Sequence, residues 1–250
     1  MYERMSGIRE KIKRADKHIK DFEAELRIFT DSKSYEVAVD VDTDPAKPVV
    51  HILKANPTPP HLMPIAGDAI HNLRSALDYL ACELVRANRN IPGPKIEFPI
   101  LDSPITTAKH KARFAAKVEG MRDDVVDVIR SIHPYQGGNN TLWRLHRLDI
   151  IDKHNTILAG FGNITAAGSL PPIGDQWDGN RWASFGTPTV LKKGHQFHFA
   201  TLKVDKSTPF FAEIVFDQPD VAEGYPVILG LIQFRRAVMD VAGALSWALR

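Results

Sequence analysis

Apolar side chains recur at alternating intervals of three and four residues along several stretches of the chain. One such stripe extends from Met5 to Phe29, and the positions between its members are mainly charged. Residues 65–88 and 226–250 show the same spacing. This periodicity predicts three long amphipathic helices. For the first of them we favour a helix packed on its own domain over an intermolecular coiled coil, which a sustained repeat also suits.

A different pattern, alternation of apolar and polar residues, follows the first helix. Tyr35, Val37 and Val39 alternate with polar or small residues, and a turn-forming segment at 42–48 precedes a second apolar run. This pattern predicts a β-hairpin over residues 35–54. Shorter helices are predicted over 104–118, 121–132 and about 140–155.

The character of the chain changes after residue 156. Residues 157–217 are rich in glycine, threonine and aromatic side chains, with strand-like runs at 182–185, 196–202 and 210–216. Because strands and helices do not alternate along the chain, an α+β class is favoured over a doubly wound parallel sheet. We expect a multi-helix bundle with an N-terminal β-hairpin and an antiparallel sheet inserted before a long C-terminal helix. If that last helix packs on the earlier ones, residues 1–250 form a single domain.

Composition excludes some classes of protein. The 250 residues are 44% hydrophobic and carry a net charge of +2, so the chain lacks the strongly basic balance common in nucleic-acid binders, although a local basic patch stays open. Cys82 is the only cysteine, which rules out an intramolecular disulfide and a cysteine-rich zinc site. The charged N-terminus lacks an apolar signal core, and no apolar run suits a membrane span. We therefore expect a cytoplasmic protein without a membrane segment.

The segment HNLRSALD at residues 71–78 contains the first unusual group of side chains. On a helix, His71, Arg74 and Asp78 form one stripe at the edge of the leucine face, with Asp68 and Ser75 beside it. Arg74 and Asp78 are spaced to pair within the helix. The alternative is an ordinary helix surface with one local ion pair.

The segment at residues 142–154 contains the second unusual group of side chains. Its apolar side chains point in nearly every direction, which is typical of a buried helix. Buried charges are costly unless paired, so the ionisable residues of this helix require partners. There are seven of them, namely Arg144, His146, Arg147, Asp149, Asp152, Lys153 and His154.

Helical geometry divides these ionisable residues into two groups. His146, Asp149 and Lys153 share one side, with Asp152 adjoining. Arg147 and His154 are seven residues apart and share another side. An interior ion-pair network that fixes helix packing is the alternative to a catalytic site.

An arginine followed by six residues and a histidine, on a late helix of a bundle, resembles the Arg-x4–6-His motif of the HEPN superfamily. Members of that superfamily are often metal-independent ribonucleases that act as dimers in toxin–antitoxin and phage-defence systems. The resemblance covers residues 61–158. It implies that Arg147 stabilises phosphate charge and that His154 transfers protons at the RNA 2′-hydroxyl, without a cofactor. It also implies RNA and a second copy of the chain as partners.

The motifs HNLRSALD and LDxIDKH, here at 71–78 and 148–154, also resemble a pair of motifs that occur together in bacterial proteins of unknown function. That resemblance provides a grouping but no activity. The candidate catalytic residues are Arg147, His154, His71, Arg74 and Asp78. The candidate binding residues are Asp68, His146, Asp149, Asp152 and Lys153.

Two other functions stay open at this point. The first is a non-enzymatic interaction protein, in which the charged residues form a structural network and the partner is unspecified. The second is a metal-dependent hydrolase, because the two segments contain imidazole and carboxylate groups that suit zinc or a di-metal centre. Neither helix has a Glu-x-x-His pair, and neighbouring basic residues would repel a cation, so no residue is assigned as a metal ligand.

Overall fold

The computed structural model describes residues 2–40, 42, 49–168, 181–185, 191–198, 206–208 and 210–250. Most of the predicted turn at 42–48 and the end of the strand-like run at 196–202 lie outside the described residues.

Long helices form where the sequence has apolar stripes, and the α+β class is confirmed. The helices in the described part of the chain are α1 (Tyr2–Asp31), α2 (Leu62–Ala87), α3 (Ala108–Lys117), α4 (Asp123–Ser131), α5 (Asn140–His154) and α6 (Val227–Leu245), followed by a 3-10 turn (Ser246–Leu249). None of these helices is both long and apolar enough to cross a membrane.

Strands occupy the regions that the alternating pattern indicates. They are β1 (Tyr35–Asp40), β2 (Val49–Ala55), β3 (Ala159–Gly168), β4 (Arg181–Phe185), β5 (Gln196–His198) and β6 (Phe210–Phe216). They form two antiparallel three-stranded sheets, in the orders β1-β2-β5 and β4-β3-β6. The predicted hairpin and the antiparallel sheet before the C-terminal helix are both present.

One strand pairing differs from the simplest expectation. Strand β5 belongs to the 157–217 region, yet it pairs with β2, so the hairpin gains a third strand. The region therefore contributes to two sheets. In the other sheet the register shifts between Gly162 and Ile164, and an added Cβ at Gly162 would lie 2.5 Å from Val215 Cγ2. The Val215 side chain packs so closely against the backbone of β3 that it favours glycine at that position.

The contacts divide the chain into two compact units. The helical unit comprises residues 1–22, 64–157 and 229–250, and the sheet unit comprises 23–63 and 158–228. A single domain over residues 1–250 stays a prediction. Large side chains from several helices are fully buried in the helical unit, among them Ile8, Phe22, Ile70, Leu73, Leu77 and Phe234.

Candidate functional site

The two unusual segments lie on α2 and α5, and their side chains meet within the helical unit. His71 Nδ1 lies 3.0 Å from Asp149 Oδ1, and Arg74 Nε donates to His146 Nδ1 at 3.2 Å. Two of the ionisable residues of α5, His146 and Asp149, are therefore matched by residues of α2, as the cost of burying unpaired polar and charged groups requires.

Asp149 is the most deeply buried carboxylate of this cluster, with its side chain 2% exposed. Its Oδ2 accepts a hydrogen bond from Lys153 Nζ at 2.6 Å, and its Oδ1 faces His71. A carboxylate accepts hydrogen bonds, so His71 Nδ1 carries the proton and Nε2 is left as the basic nitrogen. The imidazole is about half exposed, and its Nε2 lies 3.4 Å from Ser75 Oγ. A half-exposed imidazole oriented by a buried carboxylate can transfer protons.

Arg74 is the centre of a second set of interactions. Its side chain is only 3% exposed, and its three nitrogens point in different directions. Besides His146 Nδ1, the guanidinium donates to the carboxylate of Asp78, to the carbonyl of Phe98 at 3.0 Å and to Glu97 Oε2 at 3.4 Å. The predicted pairing of Arg74 with Asp78 is confirmed. The burial of Arg74 favours a structural role over direct contact with a substrate.

Residues of the loop after α2 complete this network, and the sequence interpretation did not include them. Asp78 also accepts from the backbone N–H of Phe98 at 2.9 Å. Glu97 pairs with Lys117 of α3, which is buried. The available signal was the single acidic residue, Glu97, within the apolar sequence IEFPI. Lys117 consequently does not belong to the basic surface that α3 otherwise presents.

Burial and neighbouring cations determine how His146 titrates. Desolvation, followed by the positive charges of Arg74 and Lys117, lowers the pKa of His146 to about 3. The imidazole is therefore neutral at neutral pH, which lets Nδ1 accept from Arg74. Burial also raises the pKa of Asp78, an effect that Arg74 partly offsets. His146 is consequently a structural acceptor and is not suited to proton transfer near pH 7.

Two further carboxylates lie beside this cluster. Burial raises the pKa of Asp152, and the carboxylates of Asp68 and Asp149 raise it further. Asp152 lies so close to α2 that an added Cβ at Gly67 would be 2.6 Å from its Cγ. Among the described residues no group of three or more His, Cys, Asp or Glu side chains is arranged to hold a metal ion.

Arg147 and His154 lie on a different side of α5. At about 100° per residue, their stripe is roughly a third of a turn from the side that carries His146, Asp149 and Lys153. Arg147 is half-buried and His154, the last residue of the helix, is exposed. Neither side chain makes a hydrogen bond or ion pair with any residue in the described part of the chain. Neither makes a hydrogen bond or ion pair with His71, Arg74 or Asp78, although the charge of Arg147 contributes to the lowered pKa of His146.

The first half of α5 is buried nearly all round, as its apolar pattern predicts. Leu142, Trp143, Leu145 and Leu148 are all buried, whereas the side chains become accessible towards the C-terminal end. Asn139 caps the helix by accepting from the backbone N–H of Leu142 at 3.1 Å. The helix thus has a buried end and an accessible end, and His154 belongs to the latter.

The chain matches no family model, no curated protein and no solved structure.

Proposed function

We propose that this protein is a metal-independent ribonuclease of the HEPN type, with Arg147 and His154 as the residues that act on RNA. One observation carries the proposal. These two ionisable side chains of α5 make no hydrogen bond or ion pair within the described residues, although their helix is partly buried and ionisable neighbours are paired.

This observation supports the catalytic explanation of these two residues over the structural one. An interior network explains why α5 retains His146, Asp149 and Lys153, because Arg74 and His71 pair with the first two and Lys153 pairs with Asp149. It does not explain Arg147 and His154, which make no hydrogen bond or ion pair with its members, although the charge of Arg147 adds to the lowering of the pKa of His146. Their common stripe, about 10 Å long at 1.5 Å per residue, leaves both able to contact one RNA strand.

The proposed chemistry follows from the two side chains. His154 removes the proton from a 2′-hydroxyl, and the resulting oxygen attacks the adjacent phosphorus. The bond from phosphorus to the 5′-oxygen breaks, and that oxygen takes a proton from solvent. The proton held by His154 is then released to solvent. Arg147 stabilises the negative charge that develops on the phosphate oxygens. The products are a 2′,3′-cyclic phosphate and a free 5′-hydroxyl, and no step requires a metal ion. Histidine suits this work because its proton exchanges near neutral pH.

A basic surface for the rest of the RNA strand is present on α3. Lys109 and Lys111 are exposed on that helix. Arg113 is also largely exposed and lies 3.7 Å from Asp102. Exposed cations of this kind neutralise phosphates without reading sequence. They supply a local basic patch in a chain whose overall charge is nearly balanced.

The test is cleavage of end-labelled RNA by the purified full chain in the presence of EDTA. We expect cleavage with cyclic phosphate ends, and a loss of about 10²–10⁴-fold in rate for His154→Gln. Arg147→Gln should lose activity as well. Matched controls are His61→Gln and Arg130→Gln, which remove exposed side chains elsewhere. Equal rates for wild type and His154→Gln, or no cleavage by wild type, would contradict the proposal.

A non-enzymatic interaction protein is the second candidate, and the Arg74 network favours it. The buried guanidinium has its partners within the fold, so it needs no substrate to satisfy it. On this hypothesis the chain leaves RNA intact, and substitutions at Arg74 change stability alone. RNA cleavage that depends on His154 would exclude it.

A further inference from the structure

Ser75, His71 and Asp149 form a chain of contacts at the accessible edge of the interface between α2 and α5. Asp149 Oδ1 lies 3.0 Å from His71 Nδ1, and His71 Nε2 lies 3.4 Å from Ser75 Oγ. One nitrogen of the imidazole therefore faces a carboxylate and the other faces a hydroxyl. Carboxylate, imidazole and hydroxyl in this order are the groups that activate a serine for attack on a carbonyl carbon.

The exposure of the three side chains suits their order. The carboxylate of Asp149 is fully buried, the imidazole of His71 is about half exposed, and Ser75 is half-buried. Water is thus kept from the carboxylate, whereas the hydroxyl can contact a bound molecule. Ser75 lies one turn after His71, and helical side chains lean towards the preceding turn, so Oγ is directed at the imidazole. Pairs of this kind are often somewhat long before a substrate binds.

A cation of α1 lies beside the same part of α2. Lys11 Nζ is 3.4 Å from Asn72 Oδ1 and 5.6 Å from the centre of the Tyr79 ring. Asn72 lies three residues before Ser75 and Tyr79 lies four residues after it, so the ammonium is next to the turn that carries the hydroxyl. An ammonium in this position can stabilise the negative oxygen that forms when the hydroxyl attacks a carbonyl group.

A cavity begins one turn beyond Ser75. It has a volume of about 400 Å³ and lies between α1 and α2. Its lining combines uncharged residues, including Tyr79 and Cys82, with two arginines that pair with Glu83. Tyr79 is four residues from Ser75, which is about 6 Å along a helix. The uncharged part of the lining suits a short apolar acyl group that extends from a carbonyl carbon held at Ser75.

We propose that Ser75 is the nucleophile of a serine hydrolase site that cleaves carboxylic esters with a short apolar acyl group. Ser75 Oγ attacks the carbonyl carbon while its proton passes to His71 Nε2, and Lys11 stabilises the oxyanion. The bond from the carbonyl carbon to the alcohol oxygen breaks, and the alcohol leaves with the proton from His71. Water then attacks the acyl group and gives a proton to His71, which returns it to Ser75 as the carboxylic acid leaves. Asp149 positions the imidazole and stabilises its charged form.

The test combines a covalent probe with ester hydrolysis by the purified full chain. A fluorophosphonate labels activated serines, and intact mass with peptide mapping identifies the labelled residue. We expect one adduct, on Ser75, and release of nitrophenolate from p-nitrophenyl butyrate. Ser75→Ala should abolish both reactions, and His71→Gln should slow both about 10²–10⁴-fold. The matched controls Ser131→Ala and His61→Gln change exposed side chains outside the site and should leave both rates unchanged.

Two further variants test the supporting groups. Lys11→Met should slow ester hydrolysis about 10²-fold, whereas Lys13→Met, at an exposed position two residues along α1, should not. Asp149→Asn should lower kcat and leave KM unchanged, because Asp149 acts through His71. A thermal midpoint close to wild type would show that Ser75→Ala is folded.

Three results would overturn the proposal. They are a wild type that the fluorophosphonate does not label, an adduct on a residue other than Ser75, and ester hydrolysis that persists in Ser75→Ala. The site contains neither Arg147 nor His154, so the inference does not depend on the proposed ribonuclease activity.

Discussion

His146 makes the stability of the folded chain depend on pH in a way that can be calculated. Its imidazole is buried beside Arg74, and its pKa falls from 6.5 to about 3. In the unfolded chain the imidazole regains its ordinary pKa and binds a proton below about pH 6.5. The folded chain does not bind that proton until near pH 3. Stability is therefore fully present above pH 6.5 and is lost as pH falls towards 3.

The size of this effect follows from the two pKa values. Between about pH 7.5 and 5.5, proton uptake by the unfolded chain alone removes about 1.4 kcal/mol from the free energy of unfolding. For a chain of this length that corresponds to a fall of roughly 3 °C in the thermal midpoint. The exposure of His146 is only 8%, so solvent screening reduces the figure little.

The assay compares wild type with His146→Asn by scanning calorimetry at both ends of that pH interval. Asparagine supplies an acceptor oxygen near the position of Nδ1 but does not titrate. We expect its thermal midpoint to fall less than that of wild type, by roughly 3 °C. His154→Asn removes an exposed imidazole from the same helix and should follow wild type. If wild type and His146→Asn lose the same stability over this interval, the buried and neutral imidazole inferred here is wrong.

Two other substitutions test the packing of α2. Arg74→Met should lower the free energy of unfolding by about 1–3 kcal/mol in a denaturant titration, because it leaves His146 Nδ1 and the Phe98 carbonyl without their donor. Arg86→Met, at a half-exposed position on the same helix, should cost less than about 1 kcal/mol. Gly67→Ala should destabilise the wild-type chain, because its Cβ would meet the Asp152 carboxylate. In an Asp152→Ala background the same change should stabilise by roughly 1 kcal/mol through helix propensity, and destabilisation in both backgrounds would refute this explanation.

Local periodicity predicted most of the helices and the hairpin. The apolar stripes gave α1, α2 and α6 to within a few residues, because amphipathic spacing alone determines which side of a helix is buried. The pairing of β5 with β2 was not predicted, because strand partners far apart in sequence leave no signal in either strand. The turn at 42–48 stays a prediction.

The sequence also predicted part of the candidate site, but not all of its contacts. A helix that is apolar all round yet charged must have partners, and this reasoning indicated that another helix would supply them. It grouped His71, Arg74 and Asp78 with Arg147 and His154, whereas in the structure His71 and Arg74 contact Asp149 and His146. It did not indicate the participation of Glu97 and Lys117, since their loop and helix are adjacent to Arg74 only after folding.

The two sides of α5 allow the structural network and the proposed activity to be tested separately. Side chains directed at α2, such as His146 and Asp149, are satisfied inside the fold, so their removal should lower the thermal midpoint first. Arg147 and His154 contribute no pairing energy within the described residues, so their removal should leave the thermal midpoint nearly unchanged. If substitution of Arg147 or His154 abolishes an activity while the chain stays folded, these residues therefore belong to a functional site and not to the structural network. The reverse order, with His154 decisive for stability, would place that imidazole in the structural network instead.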